Sequence, residues 1–434
     1  MTRGGNRLPT GAAGRLVRIG VMGAGVLGRN ALGGIRKIGA GDERRREIDR
    51  QTHEANALRI FDAMTQMKGA FMKLGQMLSV QAPSLPEPYL RRLADLQWEA
   101  PPMHGTLMRM QFRNEMGRFP EEVFAEFERE AFAAASLGQV HRARLPSGER
   151  VAVKIQYPGI DRSIESDFAN LKTMLSTIRL SREQYGEVWE AVEEVRRHFR
   201  RELDYGIEAD TIDEFRRLLR DRDDVRIPRV TRACSARRVL TMELLEGRHL
   251  REYLRTRPPA SERDELGTRL LDLFFRQAFD FGILHADPHP GNYLFMEGGR
   301  LGLLDFGCAK EFDRPFIEEH KKLFRIPIGD AASLERHYRK FHFYDDADPR
   351  KDEKRQALLD MQRVDLAKYH EDRAFDFGDR THLREVVGGL QRLVGLGLTT
   401  RGFVLYVRAK VGLYGLLHQL GARVNCHRGV RKYV

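Results

Sequence analysis

Apolar positions recur at two different periods along this chain, and the change of period marks out its organisation. Between Glu54 and Gln81, Met67, Phe71, Leu74 and Leu78 follow one another at three- and four-residue steps, which places them on one face of a helix. Lys73 and Gln76, three apart, share another, polar face of that helix. Prolines at 83, 86 and 88 end it and Pro101-Pro102 ends the next, so residues 47–130 read as a helical extension. Further on the period shortens to two. Gln139 to Leu145 and Arg150 to Gln156 alternate or carry β-branched residues on either side of the turn Pro146-Ser-Gly148, which predicts a β-hairpin. A long helical region over 161–220 follows, then two short strands, Val225 to Val230 and Arg238 to Glu243, and the chain turns helical again after Gly247. The expected order is a helical extension, a small sheet with an inserted helix, a mainly helical lobe and a helical tail.

Composition adds the size of the core and the placement of charge. With 434 residues and 41% hydrophobic content the chain can bury a sizeable core. Of the formal net charge of +12, residues 1–46 carry ten Lys/Arg against two Asp/Glu, and residues 423–434 carry four basic residues and no acid. Basic ends on a neutral body suit an anionic membrane surface, with solvated tails as the bland alternative. No aromatic residues interleave with those ends and no nucleic-acid motif is present, so nucleic acid is not an expected partner. The glycines of Gly23-Ala-Gly-Val-Leu-Gly28 match G-x-G-x-x-G, but a Gly/Arg-rich stretch follows where a dinucleotide site needs a βαβ unit and a later acid. Three widely spaced cysteines make neither a disulfide framework nor a Cys-x-x-Cys metal site, and no secretory signal is legible. A reducing cytoplasm, with peripheral contact at the inner face of a membrane, is the expected place. The apolar stretch "FVLYVRAKVGLYGLLHQL" is broken by Arg408 and Lys410, which speaks against its entering a bilayer.

The densest chemistry lies in "LHADPHPGN", Leu284 to Asn292, and in "LLDFG", Leu303 to Gly307. Phosphoryl transfer from ATP needs a lysine on the phosphates, an acid near the attacking hydroxyl or water, and oxygen ligands for Mg²⁺. All are present in order: Lys154 closes Val151-Ala-Val-Lys154, Asp287 and Asn292 stand in D-x-x-x-x-N, and Asp305 opens Asp305-Phe-Gly307. A transition-metal site at His285-x-Asp287-x-His289 is the competing reading, but Pro288 and Pro290 bar the helix that would align the histidines. The chain departs from an ordinary protein kinase in three places. Ala133-Ala-Ala-Ser136 stands where a glycine-rich phosphate loop is expected, His285-Ala286 precedes Asp287 where an arginine would, and no A-P-E follows Asp305.

Together these residues resemble the UbiB (aarF-type) family of atypical protein-kinase-like proteins. Lys73-Leu-Gly-Gln76 matches the family's K-x-G-Q, Ala133-Ala134-Ala135-Ser136 its alanine-rich loop, Glu202-Leu-Asp204 its E-x-D, and "HADPHPGN" its catalytic loop. The resemblance implies an α+β, two-lobed kinase-like fold: a small antiparallel sheet in the N-lobe, a mainly helical C-lobe and extra N-terminal helices. The segments implied are a basic Gly-rich arm (1–46), the helical extension (47–130), the N-lobe with inserted helices (131–245), the C-lobe (246–345) and a helical tail (346–434). It implies ATP or ADP with Mg²⁺ as ligands, ATPase activity, and a part in isoprenoid-quinone (coenzyme Q) synthesis or membrane lipid metabolism, with a lipid or quinone precursor as partner. A nucleotide-gated binding module and a small-molecule or lipid kinase are the alternatives. On that resemblance Lys154 pairs with Glu208, Asp287 is the acid-base group, and Asn292 and Asp305 hold Mg²⁺. Glu243 and Leu245 lie in the segment that reads the adenine, while Lys73 and Gln76 meet Glu202 and Asp204 in a regulatory contact.

Overall fold

The hairpin legible in the alternation is the centre of a small antiparallel sheet. The computed structural model describes residues 104–135, 137–177, 186–340, 347–398 and 401–434, with scattered positions between 36 and 58. Strands β1 (Glu126–Phe127), β2 (Gly138–Arg144), β3 (Arg150–Gln156) and β4 (Val239–Glu243) lie side by side in that order. Along β3 every residue from Val151 to Gln156 is buried, on both faces, and Lys154 stands opposite Leu240 of β4. Residues 126–127, expected in the helical extension, instead form the sheet's edge. The reason is aromatic packing across strands: the Phe127 ring stacks at 5.2 Å on that of His141 in β2, with the Phe124 ring 5.8 Å away beside it.

The expected long helical region over 161–220 is three helices: α1 (Ile160–Thr177), α2 (Gly186–Glu202) and α3 (Tyr205–Leu218). The second break has a simple cause. Asp204 is the N-cap of α3, its side chain accepting from Gly206 N–H at 2.9 Å, so a new helix starts there. The described residues fall into two compact units. The smaller holds those up to 111, with 131–139 and 156–203; the larger holds 112–130, 140–155 and 204–434. In the smaller, α1 and α2 meet through the edge-to-face rings of Phe168 and Phe199 and through Glu165, which accepts from Arg196 at 3.0 Å and from Arg200 at 2.8 Å.

The core of the larger unit is built on α4 (Ala260–Phe275), which buries Leu266, Leu270, Leu271, Leu273, Phe274 and Phe275. A π-helical turn, ended by Gly282 at φ 70°, leads from α4 into β5 (Ile283–Leu284). Strand β6 (Tyr293–Phe295) then pairs antiparallel with β7 (Leu301–Leu303). The strand expected over 225–230 divides: Val225–Arg226 runs parallel to β7, while Val230 bridges antiparallel to Met242 of β4 in the first sheet. Arg222 bonds both Asp224 and Asp272 at 2.6 Å, fastening the start of that short strand to α4.

Residues 346–434, expected as a tail, are part of this same core. They contribute α5 (Lys351–His370), α6 (Arg380–Gly395) and α7 (Arg401–Leu420). Helix α7 buries Tyr406, Ala409, Leu413, Tyr414, Leu416, Leu417 and Leu420. At Gly267 of α4 a Cβ would come within 2.6 Å of the Ala422 side chain, so the chain's last segment is seated closely on α4. Among the described residues no helix is long and apolar enough to cross a membrane. Lys410, which interrupts the apolar run, is buried against Asp365 of α5.

Candidate active site

Strand β3 and helix α3 bring Lys154 and Glu208 together inside the protein. The lysine's Nζ donates to both Glu208 carboxylate oxygens at 2.9 Å and to Asp305 Oδ2 at 3.4 Å, and both side chains of the Lys154–Glu208 pair are only 5% exposed. Burial alone would favour a neutral amine, but the neighbouring carboxylates of Asp305 and Glu208 outweigh it and hold the Lys154 ammonium well above the ordinary lysine range. The Tyr205 ring, one helical turn before Glu208 on the same face of α3, lies 5.1 Å from Nζ and adds a cation–π contact.

Glu208 also accepts from the backbone N–H of Phe306 at 3.3 Å. One carboxylate thus ties the strand lysine to the Asp305-Phe-Gly307 segment. Phe306 is buried between Phe215 of α3, at 5.2 Å between ring centroids, and His285, at 5.1 Å. Packing of that ring fixes where Asp305 points. Asp305 itself has φ 55°, a left-handed conformation that for a non-glycine residue costs of order 1–3 kcal/mol and persists only where the surroundings impose it.

The loop after β5 carries the second half of the site. Asn292 Nδ2 donates to Asp287 Oδ2 at 2.7 Å and to the Asp287 carbonyl at 3.2 Å, so the two ends of D-x-x-x-x-N are joined directly. Pro290 opens the 3₁₀ turn Pro290–Asn292 that brings Asn292 round. His285 is buried: its N–H donates to Gln277 at 3.0 Å and its Nε2 bonds the Leu304 carbonyl at 2.9 Å, fastening the loop to the residue before Asp305. Ala286, between His285 and Asp287, is also left-handed, at φ 58°. Asp287 and Asp305 therefore each stand at or beside a strained backbone position.

The histidines do not converge. His289 Nδ1 accepts from Gly291 N–H at 3.1 Å while His285 bonds Leu304, and no group of three His, Cys, Asp or Glu able to hold a metal occurs among the described residues. The transition-metal reading of His285-x-Asp287-x-His289 therefore falls. What remains at Asn292 and Asp305 are hard oxygen donors, too few for an all-protein cage. That fits Mg²⁺, which is commonly held by one or two carboxylates together with substrate phosphates and waters.

Other expected residues stand as follows. The Glu243 carboxylate is engaged by Arg226 at 2.7 Å and Arg229 N–H at 3.2 Å, and its own N–H bonds the Arg229 carbonyl at 2.8 Å. The Glu243 side chain is thus committed to the protein. Among the described residues neither the N–H nor the carbonyl of Leu245 has a backbone partner. Ala133–Ala135 form a short strand in the smaller unit, and Glu202 is buried there, its carbonyl accepting from Gln156 at 3.4 Å. Asp204, in the larger unit, caps α3 and lies 3.7 Å from Arg237. Lys73, Gln76, Ser136 and the basic arm over residues 1–35 lie outside the described residues. Sequence reasoning missed three supports, Tyr205, Gln277 and the Phe306 N–H. Only Tyr205 carried a signal, its three-residue offset from Glu208.

Comparison with known proteins gives this geometry its setting. The chain matches the ABC1 atypical kinase-like domain over residues 95–335. It is 30% identical to the atypical kinase COQ8B, mitochondrial, of Danio rerio, over 86% of this chain and 60% of that protein. It is 28% identical to the atypical kinase COQ8, mitochondrial, of Saccharomyces cerevisiae, over 96% of this chain and 84% of that one. The chain thus spans less than two thirds of the length of the Danio rerio relative. Among solved structures, Rv3197 from Mycobacterium tuberculosis, in a complex with erythromycin, superposes with a TM-score of 0.61 at 26% identity, covering 90% of this chain and 98% of that one. The fold is α+β and kinase-like.

Proposed function

The chain belongs to the ABC1 (UbiB) family of atypical kinase-like proteins, and from that premise we propose that it binds Mg·ATP and transfers or hydrolyses its terminal phosphoryl group. The observation that carries the reading is the shared Glu208 carboxylate, which receives Lys154 on one side and the Phe306 N–H on the other. Both the strand lysine and the D-F-G aspartate must be in place for phosphoryl transfer, and this contact links them. Lys154 holds its charge and is oriented toward Asp305, which suits a donor to phosphate oxygens. Asp287 has one oxygen engaged by Asn292 Nδ2, so its Oδ1 accepts the proton of the attacking hydroxyl or water as the bond to the γ-phosphorus forms and that to the ADP oxygen breaks. Asn292 and Asp305 would hold Mg²⁺, which when bound neutralises charge on the phosphate oxygens. Leu245 would offer its backbone edge to the adenine.

The nucleotide site is tested by thermal shift. Mg·ATP at about a hundredfold over its Kd should stabilise the wild type by about 2.7 kcal/mol, and Asp305→Asn should remove most of that shift by removing a metal ligand. A wild type that no concentration of Mg·ATP stabilises would end this reading.

The physiological role we propose is support of isoprenoid-quinone (coenzyme Q) synthesis or membrane lipid metabolism, at a membrane surface. The family resemblance supports the first part and the charge of residues 1–46 the second, since each basic residue near an anionic surface contributes on the order of 1 kcal/mol, less as salt rises. Flotation with phosphatidylserine-containing liposomes should show binding that weakens when residues 1–46 are deleted. Equal binding by the shortened protein would move the contact elsewhere.

A further inference from the structure

Pro288, the residue after Asp287, is met from outside the loop by helix α7. A Cβ at Gly412 would lie 2.9 Å from Pro288 Cβ and 3.3 Å from Cδ, and closer still to Cγ, well inside the contact distance of real side chains. The approach is local to this position. At Gly415, nearly one turn further along α7, a Cβ would meet nothing within 4 Å. The loop residues Ala286 and Pro288 and the α7 residues Ala409 and Leu413 line a cavity of about 20 Å³, on the order of one water's worth.

Helix α7 is anchored on both sides of Gly412. Lys410, two residues before Gly412, pairs with the buried Asp365 of α5, and Tyr414, two residues after, donates to Asp365 Oδ1 at 2.8 Å. The loop, too, is fixed on its other sides, by Asn292 on Asp287 and by His285 on Leu304. At Gly412 a single added methyl would therefore strike the Pro288 ring of a loop that is held on its other sides.

We propose that Gly412 is a positioning residue: lacking a side chain, it lets α7 bear directly on Pro288 and thereby sets the place of the Asp287 carboxylate. The proposal rests on the phosphoryl-transfer reading of Asp287 but concerns a residue on a different element, helix α7. It makes the C-terminal helix part of the catalytic apparatus and not only of the core.

The test uses the full chain and compares Gly412→Ala with Gly415→Ala. Gly412→Ala should lower ATP turnover by roughly ten- to a hundredfold, because displacement of a reacting group by an ångström or less is enough for that, while the Kd for Mg·ATP stays within about twofold. Gly415→Ala should turn over as the wild type does. Adding Pro288→Ala to Gly412→Ala removes the atoms the new methyl strikes, so the double variant should be faster than Gly412→Ala alone. Wild-type turnover in Gly412→Ala, or a loss that Pro288→Ala does not relieve, overturns the proposal. Should Gly412→Ala fail to fold, the double variant Gly412→Ala with Pro288→Ala should fold and turn over ATP, because the atoms the methyl strikes are gone; a double variant that also fails to fold overturns the proposal. A wild type with no turnover would sink the underlying reading instead. The contact is then judged by hydrogen exchange of the amides of residues 285–292, which should speed up in Gly412→Ala and not in Gly415→Ala; equal exchange in the two overturns it.

Discussion

Replacing Asp287 by Asn should lower ATP turnover by roughly 10²- to 10⁴-fold, the usual worth of a positioned proton acceptor, while Mg·ATP binding changes little. The asymmetry follows from what each group touches. On the proposed reading binding rests on Lys154, on Asn292 and Asp305 as metal donors, and on the backbone of Leu245, none of which the substitution removes. The amide of Asn is nearly isosteric with the carboxylate and can still meet Asn292 Nδ2, now at 2.7 Å from Asp287 Oδ2, through its own oxygen. What it cannot do is accept a proton. Steady-state turnover and a thermal-shift titration on the same preparation separate the two effects. A variant that turns over at the wild-type rate would show that Asp287 takes no proton, and a variant that also loses nucleotide stabilisation would place Asp287 among the binding groups.

Much of this arrangement is legible in the sequence because it is made of local patterns. The hairpin of β2 and β3 follows from alternation around a Pro-Ser-Gly turn, and Lys154, Asp287, Asn292 and Asp305 stand at spacings that name them before any fold is known. What is illegible depends on contacts across long sequence separations. Glu208 lies 98 residues from Phe306, and no period or spacing in either segment signals that a carboxylate of one accepts the backbone N–H of the other. The same holds for Gly412 and Pro288. The apolar run of α7 is ambiguous taken alone, since a buried core helix and a membrane-seeking one share a composition; Lys410 looks like an interruption until its partner Asp365, 45 residues away, is located. Edge strand β1 was hidden for another reason: two residues are too few to show a period, and only the aromatic contacts of Phe127 with Phe124 and His141 reveal them.

That buried pair carries the largest stability effect expected here. Asp365→Ala should destabilise the protein by about 3–5 kcal/mol, the cost of leaving buried charge without its partner. Asp365, Lys368 and Lys410 are all buried, and the aspartate serves both lysines: it pairs with Lys410 and takes Lys368 at 3.2 Å, with the Tyr414 hydroxyl donating at 2.8 Å. Burial alone would push the Asp365 carboxyl up, but the charges of Lys410 and Lys368 outweigh it and hold it well below the ordinary range. Lys410→Met, which leaves Asp365 with Lys368, should cost clearly less, and urea denaturation of the two variants side by side reads the difference. A loss below about 1 kcal/mol in Asp365→Ala would mean that water reaches the cluster. Acid supplies an independent check. The buried His320 is held down to about 3, by burial first and then by the charge of Lys410, and burial holds His337 and His382 down to about 4. Each of these folded-state values is depressed, so the stability they represent is complete above the unfolded histidine value near 6.5 and drains away as pH falls below it. Asp365, also depressed, adds a second decline below about pH 4, where the unfolded carboxylate takes up its proton and the folded one does not. The wild type should show both declines, and in Asp365→Ala the second should be shallower, what remains coming from other paired carboxylates such as Asp224 and Asp272.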